Sequence, residues 1–190
     1  AYPDHNFVDS EITNGQEFTV SYDFAAAGSG GNTRFTGLGV GNSLSDLTGW
    51  SDNNPTDGFP PDFFIGYDPT SSGAAIGLYV FTNGSQDFYS GTNYSSGASF
   101  LIRFYGVSDF NASTTVSYDL FINGSATAAT SGTFDWSGTN ENYLTFFSNY
   151  TSNGGAIEGF EVSAVPEPGA FAMILGAGCL ALALGRRRKA

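Results

Sequence analysis

One cysteine, one histidine and one lysine occur in 190 residues. Each scarcity excludes something. A single cysteine, Cys179, cannot form an intrachain disulfide, so a fold built from this chain does not rest on covalent staples. The one histidine, His5, sits in the N-terminal segment and the one cysteine in the apolar run near the C-terminus, which excludes a Ser-His-Asp or Cys-His nucleophilic site. Zinc sites need several nitrogen or sulfur ligands, and one histidine cannot supply them. No Walker-type phosphate loop is present. Cations are rare throughout residues 1–165, where only Arg34 and Arg103 occur. The same segment holds 17 of the 18 Asp and Glu residues, Glu167 being the other, so its charge is 2 − 17 = −15. Nucleic-acid binding rests on neutralising phosphates with Lys and Arg, and so is excluded as a role. The same acidity is unsuited to lying on anionic lipid and suits a solvated extracellular protein.

Long helical periodicity is also lacking. Alternation takes its place: Phe18, Val20, Tyr22 and Phe24 are interleaved with Thr19, Ser21 and Asp23. Phe63, Ile65 and Tyr67 alternate in the same way, as do Val116, Tyr118, Leu120 and Ile122. A period of two predicts strands with one buried and one wet face, as in antiparallel sheets. The apolar runs Ile76–Phe81 and Phe100–Tyr105 predict central strands covered on both faces or lying at an interface. Further strands are expected near Arg34–Val40, Tyr143–Phe147 and Ile157–Val162, about eight in all by this pattern reading. Asn14-Gly15, Asn83-Gly84 and Asn123-Gly124 supply the positive φ that tight hairpins need. The expected fold is an all-β antiparallel sandwich or jelly roll over residues 1–164.

The last 26 residues differ in kind. Val165, Pro166, Glu167 and Pro168 form a stiff motif, since each proline fixes φ and lacks an N–H. A linker at 165–169 leads to the uncharged run Ala170–Leu184, and Arg186, Arg187, Arg188 and Lys189 follow as a basic stop. Fifteen helical residues reach about 22 Å at 1.5 Å each. The hydrocarbon core is about 30 Å thick, so flanking glycines and snorkelling arginines must extend the span. Residues 170–190 are therefore expected to form a transmembrane helix with a cytoplasmic basic tail, the body facing outward. The chain begins at Ala1, which leads us to expect removal of an upstream export signal.

Val165-Pro166-Glu167-Pro168, the apolar run and the terminal arginine cluster together resemble the PEP-CTERM sorting signal of Gram-negative bacteria. That resemblance covers residues 164–190. It implies recognition by an exosortase, a membrane protease and transpeptidase, with release or re-attachment at the cell surface, in bacteria that make exopolysaccharide or biofilm matrix. A second resemblance covers residues 7–164. Tyr118-Asp-Leu-Phe-Ile-Asn123-Gly124, the following Phe134-Asp-Trp136 and the last segment Ala156–Ser163 look like the hairpin and closing strand of concanavalin/laminin-G-like jelly rolls. It implies fold and not function.

Candidate sites in the body are few. Asp46, Asp52, Asn53, Asn54, Asp57 and Asp62 crowd one Gly/Pro-rich stretch. Hard oxygen donors on a loop are what Ca²⁺ takes, so Asp46, Asp52, Asn54 and Asp57 are candidate ligands; a solvated turn-rich loop uses the same residues. Sugar stacking needs exposed aromatics, and Trp50, Phe59, Tyr89 and Tyr94 are candidates, with Phe63 behind them. Burial in the core is the competing reading for these rings. Glycoside hydrolysis needs two carboxylates across a sugar. Glu158 and Glu161 are three apart, which places them on opposite faces of a regular strand. The reading that results is a non-enzymatic surface or matrix protein, with exopolysaccharide binding, calcium-assisted or not, and self-assembly into a layer or filament as alternatives.

Overall fold

The computed structural model describes residues 4–6, 12, 15–26, 36–42, 62–68, 77–92, 98–110, 112–137, 143–148 and 156–165. All the regular structure there is strand: β1 (Asp4–Asn6), β2 (Phe18–Ala26), β3 (Thr36–Asn42), β4 (Phe63–Asp68), β5 (Gly77–Thr82), β6 (Ser85–Ser90), β7 (Ala98–Tyr105), β8 (Thr114–Ile122), β9 (Thr130–Trp136), β10 (Tyr143–Ser148) and β11 (Ala156–Ala164). Every pairing is antiparallel. One sheet has the order β1-β10-β3-β4-β5-β6, the other β11-β2-β7-β8-β9. The all-β, antiparallel expectation therefore holds. Among the described residues no helix is long and apolar enough to cross a membrane. The expected C-terminal helix, the Pro166–Pro168 motif and the basic stop lie outside the described residues.

Alternation puts apolar rows from strands of both sheets into a shared core. Phe18, Val20, Tyr22 and Phe24 of β2 face Leu38, Val40, Phe63, Ile65 and Tyr67 of the other sheet, all buried. Phe63 touches Phe104, Tyr118 and Phe134 at ring-centroid distances of 5.1, 4.9 and 5.4 Å. Each fully buried Phe contributes roughly 1.5–3 kcal/mol of transfer free energy. A core this rich in rings offsets chain entropy with no disulfide.

Two strand expectations need correction. Phe64 and Gly66 are buried as well as Phe63, Ile65 and Tyr67, so β4 has no wet face. Conversely β7, expected to be covered on both faces or to lie at an interface, alternates buried with partly exposed residues, and Leu101 is 38% exposed, so it is not covered on both faces. Two strands, β1 and β6, went unpredicted, and β9 was marked only by the resemblance that places Phe134-Asp-Trp136 on a strand. β6 is rich in Ser, Gln and Asp and shows no apolar alternation, β9 alternates only at its end, through Phe134 and Trp136, and β1 is only three residues long. All three are edge strands, where partners rather than side chains decide strand formation.

Polar ties close the side of the sandwich where β6 approaches β9. The Asn83 side chain donates through Nδ2 to the Asp135 carbonyl and accepts the Asp135 N–H, each at 2.8 Å. Asp62, buried, accepts the Ser137 N–H at 2.7 Å. The Tyr118 hydroxyl donates to the Asp87 carboxylate across the two sheets.

Candidate functional site

The outer face of the six-stranded sheet carries an aromatic row. Tyr79 and Phe81 are two apart on β5 and project to the same face, away from the core. Register places Tyr89 of β6 opposite Tyr79, and Phe64 of β4 opposite Phe81. The Tyr79 and Tyr89 ring centroids lie 4.8 Å apart with a 40° tilt, and Tyr79 and Phe81 lie 6.1 Å apart, nearly parallel at 14°. Phe64 and Phe81 follow at 6.3 Å. Phe64, Tyr79 and Phe81 are buried, while Tyr89 is 39% exposed. The row thus ends in one accessible ring backed by three covered ones.

Gly77 lets that ring lie down. A Cβ there would sit 2.7 Å from the Tyr89 Cε2 atom and 2.2 Å from the Ser90 carbonyl oxygen. Beside Tyr79 in the sheet stand Gly66 and then Gly37, so the aromatic row borders a stretch without side chains. The exposed part of the Tyr89 ring can stack against the C–H face of a ring-shaped ligand.

Of the stacking candidates, Tyr89 occupies such a position. Phe63 does not: it is fully buried between the sheets. Trp50, Phe59 and Tyr94 lie outside the described residues. So do Asp46, Asp52, Asn54 and Asp57, the candidate calcium ligands. Asp62, from the same acidic stretch, is buried and bonded to Ser137, a structural role. Among the described residues no group of three or more His, Cys, Asp and Glu side chains is placed to hold a metal. Of the sorting motif only Val165 is described, and its N–H donates to the Glu17 carbonyl at 2.8 Å. Sequence reading missed Phe64, Tyr79 and Phe81 as members of the row. Their signal was the unbroken apolar runs around them, which told of two covered faces without telling which residue faced which way.

The placement of the strand carboxylates also changes. Glu158 pairs with Asp23 and Glu161 with Ser21. Asp23 and Ser21 share a face, and paired residues share a face too. A bulge between Glu158 and Glu161, with Gly159 at φ 61°, supplies the extra residue. Both glutamates therefore belong to the outer face of the five-stranded sheet, beside Asp23, and are not on opposite faces as expected.

The class so defined is an all-β, antiparallel two-sheet protein with an aromatic row on one outer face. No protein-family model and no curated protein matches the chain. Solved structures do. A doubly substituted alginate lyase Aly36B in complex with alginate trisaccharide is 15% identical, with a TM-score of 0.44, over 82% of this chain and 73% of that one. The unsubstituted Aly36B is 15% identical at a TM-score of 0.38, over 81% and 70%. Another substituted form with alginate tetrasaccharide gives 0.37 at the same identity and coverage. One expectation is corrected here. The chain was expected not to be an enzyme, and these matching structures are of enzymes. With His5 the one histidine and no cysteine in residues 1–164, two catalytic architectures are disfavoured, but Tyr, Asp and Glu also carry protons.

Proposed function

We propose that this chain is an exported cell-surface or extracellular-matrix protein whose body binds exopolysaccharide through the Tyr89 face. Residues 1–164 form the binding body, a sandwich of jelly-roll type. Residues 165–169 and 170–190 form a sorting signal of PEP-CTERM type, recognised by an exosortase and held transiently in the inner membrane before delivery to the surface. The tail's order of stiff motif, apolar run and basic stop supports the route. β11 supports it too, because its hydrogen bonding to β2 runs up to Val165 and the motif begins there.

The observation that carries the binding role is the exposed Tyr89 ring, tilted against Tyr79 at 4.8 Å and lying over Gly77. A ring already fixed in place loses little entropy on binding. Self-association by edge pairing at β11 is disfavoured, since a bulge and two glutamates interrupt that edge. Co-sedimentation of the protein with insoluble polysaccharides tests the proposal. Tyr89→Ala should weaken binding about tenfold, the loss of roughly 1.4 kcal/mol. Unchanged sedimentation would remove Tyr89 from the site. New reducing ends in the same mixtures report cleavage directly. Intact mass of surface-extracted protein tests the route: a chain shortened near Pro166–Pro168 is expected, and a full-length mass counts against processing.

A further inference from the structure

The opposite face of the molecule has a second feature that the Tyr89 reading does not use. A cleft of about 460 Å³ opens on the outer face of the five-stranded sheet, within the roughly 300–1,000 Å³ of small-ligand sites. Its lining includes Ser21, Asp23, Ser99, Leu101, Phe121 and Gly159. Register explains the layout. Leu101 of β7 lies opposite Phe121 of β8 and, on its other side, opposite Ser21 of β2. Asp23 lies opposite Ser99 in the next row, about 7 Å along the strands for a two-residue step. The first row thus sets the apolar Leu101 and Phe121 beside Ser21, and the next pairs the Asp23 carboxylate with Ser99.

Three details keep the cleft open and shaped. Leu101 is 38% exposed and Phe121 half-buried, and among the described residues Phe121 makes no ring–ring contact. A Cβ on Gly159 would come within 2.9 Å of the Asp23 Oδ2 atom, and its φ of 61° favours glycine, so the β11 bulge clears the space beside the carboxylate. The far wall is the tip of the β8–β9 hairpin. It is clamped to β7 by the Asn123 N–H on the Ser99 carbonyl at 2.8 Å and the Ser99 N–H on Asn123 Oδ1 at 3.0 Å.

We infer that this cleft is a second saccharide site, which takes a neutral pyranose unit. The C–H face of the sugar lies on Phe121 and Leu101, and its hydroxyls donate to the Asp23 carboxylate and meet Ser21 and Ser99. Charge selects against uronic acids. Asp23 is at hand, Glu158 and Glu161 share the face, and the one cation described there, Arg103, is paired with Glu17. A carboxylated sugar would be desolvated against fixed negative charge. With Tyr89 on the other sheet, one molecule would hold two glycan chains on opposite faces and link them, multiplying retention in a matrix without new contacts.

Titration calorimetry on the full chain tests this, with cellotriose, laminaritriose and maltotriose as neutral probes and trigalacturonate as the charged control. The Tyr89→Ala protein should still bind at least one neutral trisaccharide. Adding Phe121→Ala to it should weaken that binding about tenfold, a loss of roughly 1.4 kcal/mol. Asp23→Asn, which keeps the shape, should weaken it several-fold and narrow the preference over trigalacturonate. The inference is overturned if no neutral trisaccharide binds the Tyr89→Ala protein. It is overturned equally if Phe121→Ala and Asp23→Asn both bind as before, or if trigalacturonate binds best. Loss of polysaccharide binding by Tyr89→Ala alone, with Phe121→Ala inert, would end this inference and leave the aromatic face standing.

Discussion

Tyr118 shows how much one side chain can tie together. Its ring packs on Phe63 in the core, and its hydroxyl reaches Asp87 on an edge strand of the other sheet. Burial, then the Asp87 hydrogen bond, pushes the phenol pKa well above its ordinary value. Removing the acceptor leaves the Tyr118 hydroxyl with Thr130 as its remaining side-chain partner, so Asp87→Ala should cost about 1–2 kcal/mol. Tyr118→Phe removes both needs at once and should cost about 1 kcal/mol. Urea melts of the two variants and their combination check this; in the combination, Asp87→Ala should add little to Tyr118→Phe. The Arg103–Glu17 pair presents the opposite case. Both side chains are about 40% exposed, so solvent screening holds the pair to under about 1 kcal/mol despite its short geometry. The alternation around Tyr118 told that it points inward. That its hydroxyl meets Asp87, 31 residues away, follows only from how the sheets stack.

At the scale of elements, the two Asn-Gly hairpins do the same double duty. Asn83 and Asn123 both adopt positive φ, 46° and 54°. Each then turns its side-chain carbonyl onto the backbone N–H of a strand outside its own hairpin, Asp135 on β9 and Ser99 on β7. Two substitutions separate the roles. Asn83→Gly keeps the turn and loses the clamp; Asn83→Ala loses both. We expect Asn83→Ala to be the more destabilising by about 1 kcal/mol, the cost of forcing positive φ on a residue with a Cβ. Equal melting points would mean the clamp alone matters. The turns were legible because positive φ needs Asn or Gly locally. The clamps were not, since their partners lie 52 and 24 residues away. The β11 bulge escaped prediction for a related reason: a strict period of two assumes unbroken pairing, and one inserted residue reverses the face of everything beyond it.

For the molecule as a whole, alkaline pH should be the revealing stress. Tyr22 and Tyr118 both have pKa values raised by burial above the ordinary 10.0. The folded state therefore favours the neutral phenol, and its advantage is complete below pH 10. Above that, unfolded tyrosines ionise while the buried pair cannot, so stability should fall steadily as pH rises. Thermal melts between pH 8 and 12 check this. Tyr118→Phe should flatten the decline, and an identical slope would assign it elsewhere. The sheet-crossing path of the chain, from β1 to β2, β2 to β3, β6 to β7, β9 to β10 and β10 to β11, is what brings these distant rings into one core.

Strand content, antiparallel class and most of the inward-facing rows came from alternation, because a pleated strand between core and solvent imposes its period on local sequence. The scarcity of cysteine, histidine and lysine set what chemistry the body can hold, and the order of motif, apolar run and basic cluster marked the tail. Tertiary structure decided the rest. It placed Tyr89 over Gly77 beside Tyr79, buried Phe63, put Glu158 and Glu161 on one face through a bulge, and set Phe121 next to Asp23. Each depends on register between strands remote in sequence. Hydrogen bonds across the sheet choose that register, and no local pattern records it.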